Sequence, residues 1–117
     1  MKRLALSLAL ALPLAALAAD DSDGKQLAAR RGCDICHEIL PRTGDAKTPM
    51  GPSYGDIGKR YKGRKGAEDR LVGSILAGSG GAGQRHWTGR ARFERMPANV
   101  VEINEQDARA IARWILR

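Results

Sequence analysis

Cys33-Asp34-Ile35-Cys36-His37 constrains this chain more than any other stretch, because it contains both of the cysteines in 117 residues. Set three apart, the two sulfurs close a loop too short to staple a fold, so they do not supply the disulfide framework usual in small exported domains. A thioredoxin-type dithiol needs a strand–helix–strand setting, and strand signals are nearly absent; Val100 to Ile103 is the one β-leaning run. A structural zinc needs four ligands. Its two histidines here would be His37 and His86, 49 positions apart rather than closely paired as in a finger. A plain disulfide leaves the adjoining His37 unexplained. The reading that uses all three residues is covalent attachment of c-type haem, whose signature is Cys-x-x-Cys-His. Cysteines three apart on a helical turn project to neighbouring points, matching two vinyl groups on one porphyrin edge, and the next histidine can turn beneath the ring to meet the iron. One such run predicts one haem and excludes a di-haem peroxidase.

The rest of the composition agrees with an interior filled by something other than side chains. Aromatic residues make up 4% of the chain, and there are 14 glycines, little bulk for the core of a small domain. The first residues read as a secretory signal peptide. Met1-Lys2-Arg3 is positive, Leu4 to Leu17 is apolar apart from Ser7 and Pro13, and Ala16-Leu17-Ala18 is a small-x-small cleavage site. The run is too short for a membrane span and is followed at once by Asp20-Asp21-Ser22-Asp23. Residues 1–18 are therefore expected to be removed, leaving 19–117 as a single exported domain. No other apolar run approaches spanning length, so no stable membrane insertion is expected.

Without Lys2 and Arg3 the chain holds 18 basic and 13 acidic residues, unevenly placed. Ten of the basic ones (Lys59, Arg60, Lys62, Arg64, Lys65, Arg70, Arg85, Arg90, Arg92 and Arg95) lie between positions 59 and 95, against Glu68, Asp69 and Glu94. Such a field suits an acidic protein partner, although a plain solvated surface has the same look. Nucleic acid, the other partner of basic stretches, is excluded by the expected export.

The elements read as all-α, short helices joined by long loops. Asp23-Gly24-Lys25-Gln26 predicts a capping box opening a first helix to Arg31, with Gly32 as its stop. Pro41, Gly44, Pro49, Gly51 and Pro52 predict loop from Leu40 to Tyr54. One or two helical turns fit Ser53 to Tyr61. Leu71, Val72, Ile75 and Leu76 give helical spacing to Ala67–Ala77. A glycine loop spans Ser79 to Gly83, and Arg85 to Ile103 has no sustained period. Asn104 caps a last helix, Glu105 to Arg117, with Ala108, Ile111, Ala112 and Ile115 on one face and Trp114 beside it. Long loops in a small domain usually wrap something.

The sixth iron position decides function, and the residues offer Met50, His86 and Met96 for it. A lone Met most often packs in a core, which is the reading for Met50; ordinary surface or core placement is the reading for His86. Met96 precedes Pro97 on a non-helical segment that could fold over the second haem face.

Taken together, Cys33 to His37, Gly51-Pro52-Ser53-Tyr54, Trp87, Met96-Pro97-Ala98-Asn99-Val100 and Ala112-Arg113-Trp114-Ile115-Leu116 resemble the small bacterial monohaem class I cytochromes c, over roughly Asp23 to Arg117. The resemblance implies the class I cytochrome c fold with crossing N- and C-terminal helices, contributed here by Leu27 and Trp114 among others. It implies one covalently bound haem c on Cys33 and Cys36, with His37 and Met96 as axial iron ligands. It further implies that the Pro52 carbonyl accepts the Nδ1 proton of His37, that the Asn99 amide binds the Met96 sulfur, and that the Trp87 indole lies near a haem propionate. Two stretches, Thr43 to Thr48 and Gly80 to Arg95, are longer than in the shortest members. Ser74 stands where some members carry a propionate-binding Arg, leaving Arg70 and Arg85 as replacements.

The expected function is that of a monomeric periplasmic electron carrier, not an enzyme. Met/His ligation raises the potential relative to bis-His, and a filled coordination sphere leaves no room for substrate. The alternatives are a small-ligand sensing module with an open distal site, and a cytochrome subunit of a larger redox complex.

Overall fold

The computed structural model describes residues 21–39, 48–80, 87–93, 95–98 and 102–117. The expected signal peptide, His86 and Asn99 lie outside the described residues. Four α-helices follow in order: α1 (Asp21–Arg30), α2 (Tyr54–Tyr61), α3 (Ala67–Ala77) and α4 (Glu105–Ile115), with a short 3-10 turn at Cys33–Ile35. Among the described residues there is no strand, and no helix is long and apolar enough to cross a membrane. The chain is all-α, as its sequence predicts.

Local chemistry sets the helix ends. Ser53 Oγ accepts the Asp56 N–H at 3.0 Å and opens α2, which runs its full eight residues. Asn104 Oδ1 does the same for the Asp107 N–H at 2.8 Å and opens α4, with Glu105 and Asp107 in the first turn and Arg113 in the last, the arrangement favoured by the helix dipole. α3 matches its expected span of Ala67–Ala77. α1 differs: it begins at Asp21, so Asp23 lies inside the helix and the expected capping box does not form. Gly32, at φ 74°, stops the chain after α1 and turns it into the cysteine segment.

α1 crosses α4 at close range. A Cβ on Gly24 would lie 2.4 Å from Trp114 Cβ and 2.6 Å from Ala110 O, so only glycine lets the two helices meet there. Ala28 is fully buried at this junction and Ile111 nearly so, while Ala108 and Ala112, also fully buried, pack with the core residues of α2 and α3. Gly58 brings α2 equally near, since a Cβ there would lie 2.6 Å from Ile115 O. Arg31 bonds Asp107 at 2.9 Å across α1 and α4. Arg109 of α4 reaches Glu68, Asp69 and Glu105 at 2.9 to 3.0 Å, tying α4 to the start of α3.

The buried apolar set includes Ala28, Ala67, Ala91, Ala108 and Ala112 beside Tyr54, Ile57, Tyr61, Leu71, Val72 and Ile111. So many alanines let the backbones approach but cannot fill a volume, and the interior remains open as a cleft.

Candidate haem site

The cleft encloses about 1220 Å³ of empty space, its solvent-filled mouth included. Cys33, Cys36, His37, Met50, Pro52, Trp87 and Met96 all border it, so four segments distant in sequence converge there. Apolar residues from the helices, Ile57, Leu71, Ile75, Ile111 and Ile115, complete the walls.

The wall carrying His37 is built from a dense local network. The His37 N–H donates to Cys33 O at 2.9 Å, closing the turn that presents both cysteines. The following loop returns and is stitched to it: Gly51 N to Cys36 O at 2.9 Å, Tyr54 N to Glu38 O at 2.7 Å and Gly55 N to Ile39 O at 3.0 Å. Gly51 lies against the imidazole, where a Cβ would meet His37 Cε1 at 3.1 Å. That approach lets Pro52 O stand 2.6 Å from His37 Nδ1. A carbonyl can only accept, so Nδ1 carries the proton and the lone pair belongs to Nε2, the form a metal ligand requires. Burial pushes the His37 pKa down, against the smaller opposing effect of the Pro52 hydrogen bond, and favours this neutral ring.

Tyr54 braces the same wall. Its ring lies 5.6 Å from His37 and 4.8 Å from Trp114, the latter in an edge-on arrangement. Its hydroxyl donates to Asp34 Oδ1 at 2.8 Å, fastening the residue between the cysteines to the start of α2. Burial and this bond push the phenol far above its usual range. Burial, helped by the Asp34 charge, also raises the Cys33 thiol pKa, so it stays protonated at neutral pH. Both cysteines are unpaired thiols despite their spacing.

The wall carrying Met96 is made of main chain. The Met96 N–H donates to Ser79 Oγ at 2.7 Å, and the Ser79 N–H donates to Met96 O at 2.9 Å. The rims meet where Arg92 N donates to Pro49 O at 2.8 Å and Phe93 N to Met50 O at 3.0 Å. Trp87 borders the cleft, and the Arg60 guanidinium lies 5.8 Å from its ring centre. Phe93 is exposed at 56% beside exposed Arg90, Arg92 and Arg95, and Ile35, between the cysteines, at 74%.

The structure thus brings together Cys33, Cys36, His37, Pro52, Trp87 and Met96, while Asn99 and His86 lie outside the described residues. Met50, assigned to core packing from sequence, also borders the cleft. It directly precedes Gly51, which abuts the imidazole, and its carbonyl accepts from Phe93 N, so it stands where the two rims meet. Tyr54, Asp34, Gly51 and Ser79 have parts in the site that the sequence reading gave them no role for. Their hydrogen bonds and ring contacts join positions well separated in sequence, Tyr54 reaching both Asp34 and Trp114, and only the Gly-Pro-Ser-Tyr run hinted at any of them.

Residues 22–117 match the cytochrome c family. The chain is 32% identical to cytochrome c-552 of Hydrogenobacter thermophilus over 92 residues, covering 79% of this chain and 78% of that one. It is 34% identical to cytochrome c2 of Rhodocyclus tenuis over 96 residues, covering 81% and 91%. The crystal structure of wild-type Nitrosomonas europaea cytochrome c552 superposes with a TM-score of 0.59 at 30% identity, over 79% of this chain and 95% of that one. Haem c, iron-bearing and covalently bound, is the cofactor of that family, and this site fits it. Two free thiols, a histidine with its Nδ1 proton fixed, and an apolar cleft too large for its alanine-rich surroundings to close are what such a group requires. With the fold, the site chemistry and the relatives in agreement, the chain belongs to the cytochrome c family, whose members are electron-transfer proteins rather than enzymes.

Proposed function

We propose that this protein is a periplasmic single-electron shuttle in which Cys33 and Cys36 carry haem c, His37 and Met96 are the axial ligands, and one redox partner at a time docks at the cleft mouth. The observation that carries the reading is the His37–Pro52 bond in a cleft that Met96 also borders. When bound, the haem iron supplies a one-electron couple. The chain's own residues do the rest. Pro52 holds the ring tautomer and increases the basicity of the coordinating nitrogen. The thioether of Met96 favours the reduced state and raises the potential. The isoleucine- and leucine-lined wall keeps water away and disfavours added positive charge in the same direction. Following the family resemblance, Trp87 would hold a propionate through its indole N–H, and Asn99 would support the Met96 sulfur.

Exposed Phe93 and Ile35, with Arg90, Arg92 and Arg95 around the former, suit a small transient interface with an acidic partner. Rates of electron exchange with an acidic partner are expected to fall as ionic strength rises; salt-independent rates would remove the electrostatic part. Removal of residues 1–18, export and a monomeric state complete the proposal. Intact mass of the exported protein, equal to residues 19–117 plus one haem, checks the first two, and sedimentation checks the third. The central test is spectroscopic. A low-spin ferrous spectrum unchanged by carbon monoxide supports the closed carrier; a spectrum shifted by carbon monoxide supports an open ligand-binding site instead. Met96→Ala should admit carbon monoxide and lower the potential, while Met50→Ala should do neither.

A further inference from the structure

Ser79 occupies both main-chain polar groups of Met96. Its N–H donates to Met96 O at 2.9 Å, and its Oγ accepts the Met96 N–H at 2.7 Å. The residue before it makes this approach possible. Gly78 closes α3 at φ 77°, and a Cβ there would lie 2.7 Å from both Met96 O and Ala98 N. The end of α3 and the Met96 backbone are therefore in direct contact, with no side chain between them. Pro97, next in the chain, has no N–H to offer as a further anchor.

A methionine side chain has three rotatable bonds and adapts to irregular space. Its sulfur is placed reproducibly only if the backbone that carries it is fixed. On the His37 wall that task falls to ring contacts and a ring hydrogen bond; here the described hydrogen bonds of Met96's own main chain are the Ser79 pair, while the Arg92 and Phe93 bonds anchor the segment four and three residues before it. We propose that Ser79 is the positioning residue for Met96, a two-point clamp that sets how firmly the thioether closes the distal side of the haem site. This rests on the reading of Met96 as distal ligand.

The experiment is titration of the ferric haem-loaded protein with imidazole, which must displace the thioether to bind. The weak long-wavelength charge-transfer band of sulfur-ligated ferric haem is followed in parallel. Ser79→Ala leaves the half-buried Met96 N–H without its acceptor, and imidazole affinity is expected to rise about five- to tenfold. Ser79→Thr keeps the hydroxyl and should restore an affinity close to wild type. Asn104→Ala, which removes the cap of α4 at a residue that does not line the cleft, serves as the control for general loss of stability and should leave the affinity unchanged. An unchanged affinity in Ser79→Ala, or an equal rise in Asn104→Ala, overturns the proposal. Met96→Ala separates the two layers of the reading. If it binds imidazole tightly while Ser79→Ala matches wild type, the clamp alone is wrong; if it too matches wild type, Met96 is not the ligand and both fail. Should Ser79→Ala yield no loaded protein, amide hydrogen exchange of wild type decides. Protection of the Met96 N–H comparable to α3 supports the clamp, and exchange at the unprotected rate overturns it.

Discussion

The two walls of the cleft are fixed by different means. The His37 wall is made of side chains locked to side chains and carbonyls, mostly between Asp34 and Tyr54, with one support from α4. His37 bonds Pro52, Tyr54 bonds Asp34, and the Tyr54 ring stands on Trp114 of the helix crossing. The Met96 wall is a loop held by its backbone to the end of α3 and to Pro49 and Met50. Buried rings fix an orientation as well as a position, whereas main-chain bonds fix a position and leave the side chain its rotamers. The histidine side is thus built to hold one geometry, and the methionine side to hold a flexible ligand within reach.

The largest disruption should come from beneath the histidine wall. Gly24→Leu forces a side chain between α1 and α4, and a denaturant titration should show a loss of about 3 kcal/mol, with haem loading falling alongside. Gly78→Ala tests the other wall. It combines a backbone at φ 77° and ψ 169°, a conformation that only glycine adopts readily, with a contact on main chain, and is expected to cost about 1–3 kcal/mol. Imidazole should bind the ferric form more readily, with histidine ligation still evident in the spectrum. Equal damage to both ligands would erase the distinction between the walls.

Tyr54→Phe sharpens the comparison through pH. The folded phenol stays protonated above its unfolded value of about 10, so its contribution is complete below that pH and is lost as pH rises beyond it. Wild type should therefore lose about 1.4 kcal/mol per pH unit from this group in alkaline solution. The Phe variant should lack that slope while losing about 1 kcal/mol at neutral pH. Arg109→Gln should matter least. Its ion pairs are at the surface and touch neither wall, so stability should change by under about 1 kcal/mol, less in high salt, and imidazole affinity should not move.

The parts of this architecture that were legible in sequence are those encoded locally. The Cys33 to His37 run names its chemistry by spacing. Asn104 and the three-and-four pattern from Leu71 to Leu76 define α4's start and the span of α3. Asp23 misled, because a good capping residue three before a glutamine says nothing about whether the preceding residues also wind; they do, from Asp21. Met50 reads as core packing in sequence and borders the cleft instead, since a methionine between Pro49 and Gly51 has no period that shows which space it faces. Tyr54–Asp34 and Ser79–Met96 were invisible for a different reason. Each is a single hydrogen bond or pair closed by tertiary folding across 17 to 20 residues, with no local signature. The resemblance supplied Pro52, Trp87 and Met96 where spacing alone did not, and the fold brings all three to the cleft.

The bonds from Arg92 and Phe93 to Pro49 and Met50 act as a buckle joining the two sides of the opening. Because they tie the segment that leads to Met96 directly to the loop that leads to Pro52, a displacement on either side of the opening is passed to the other through two main-chain links.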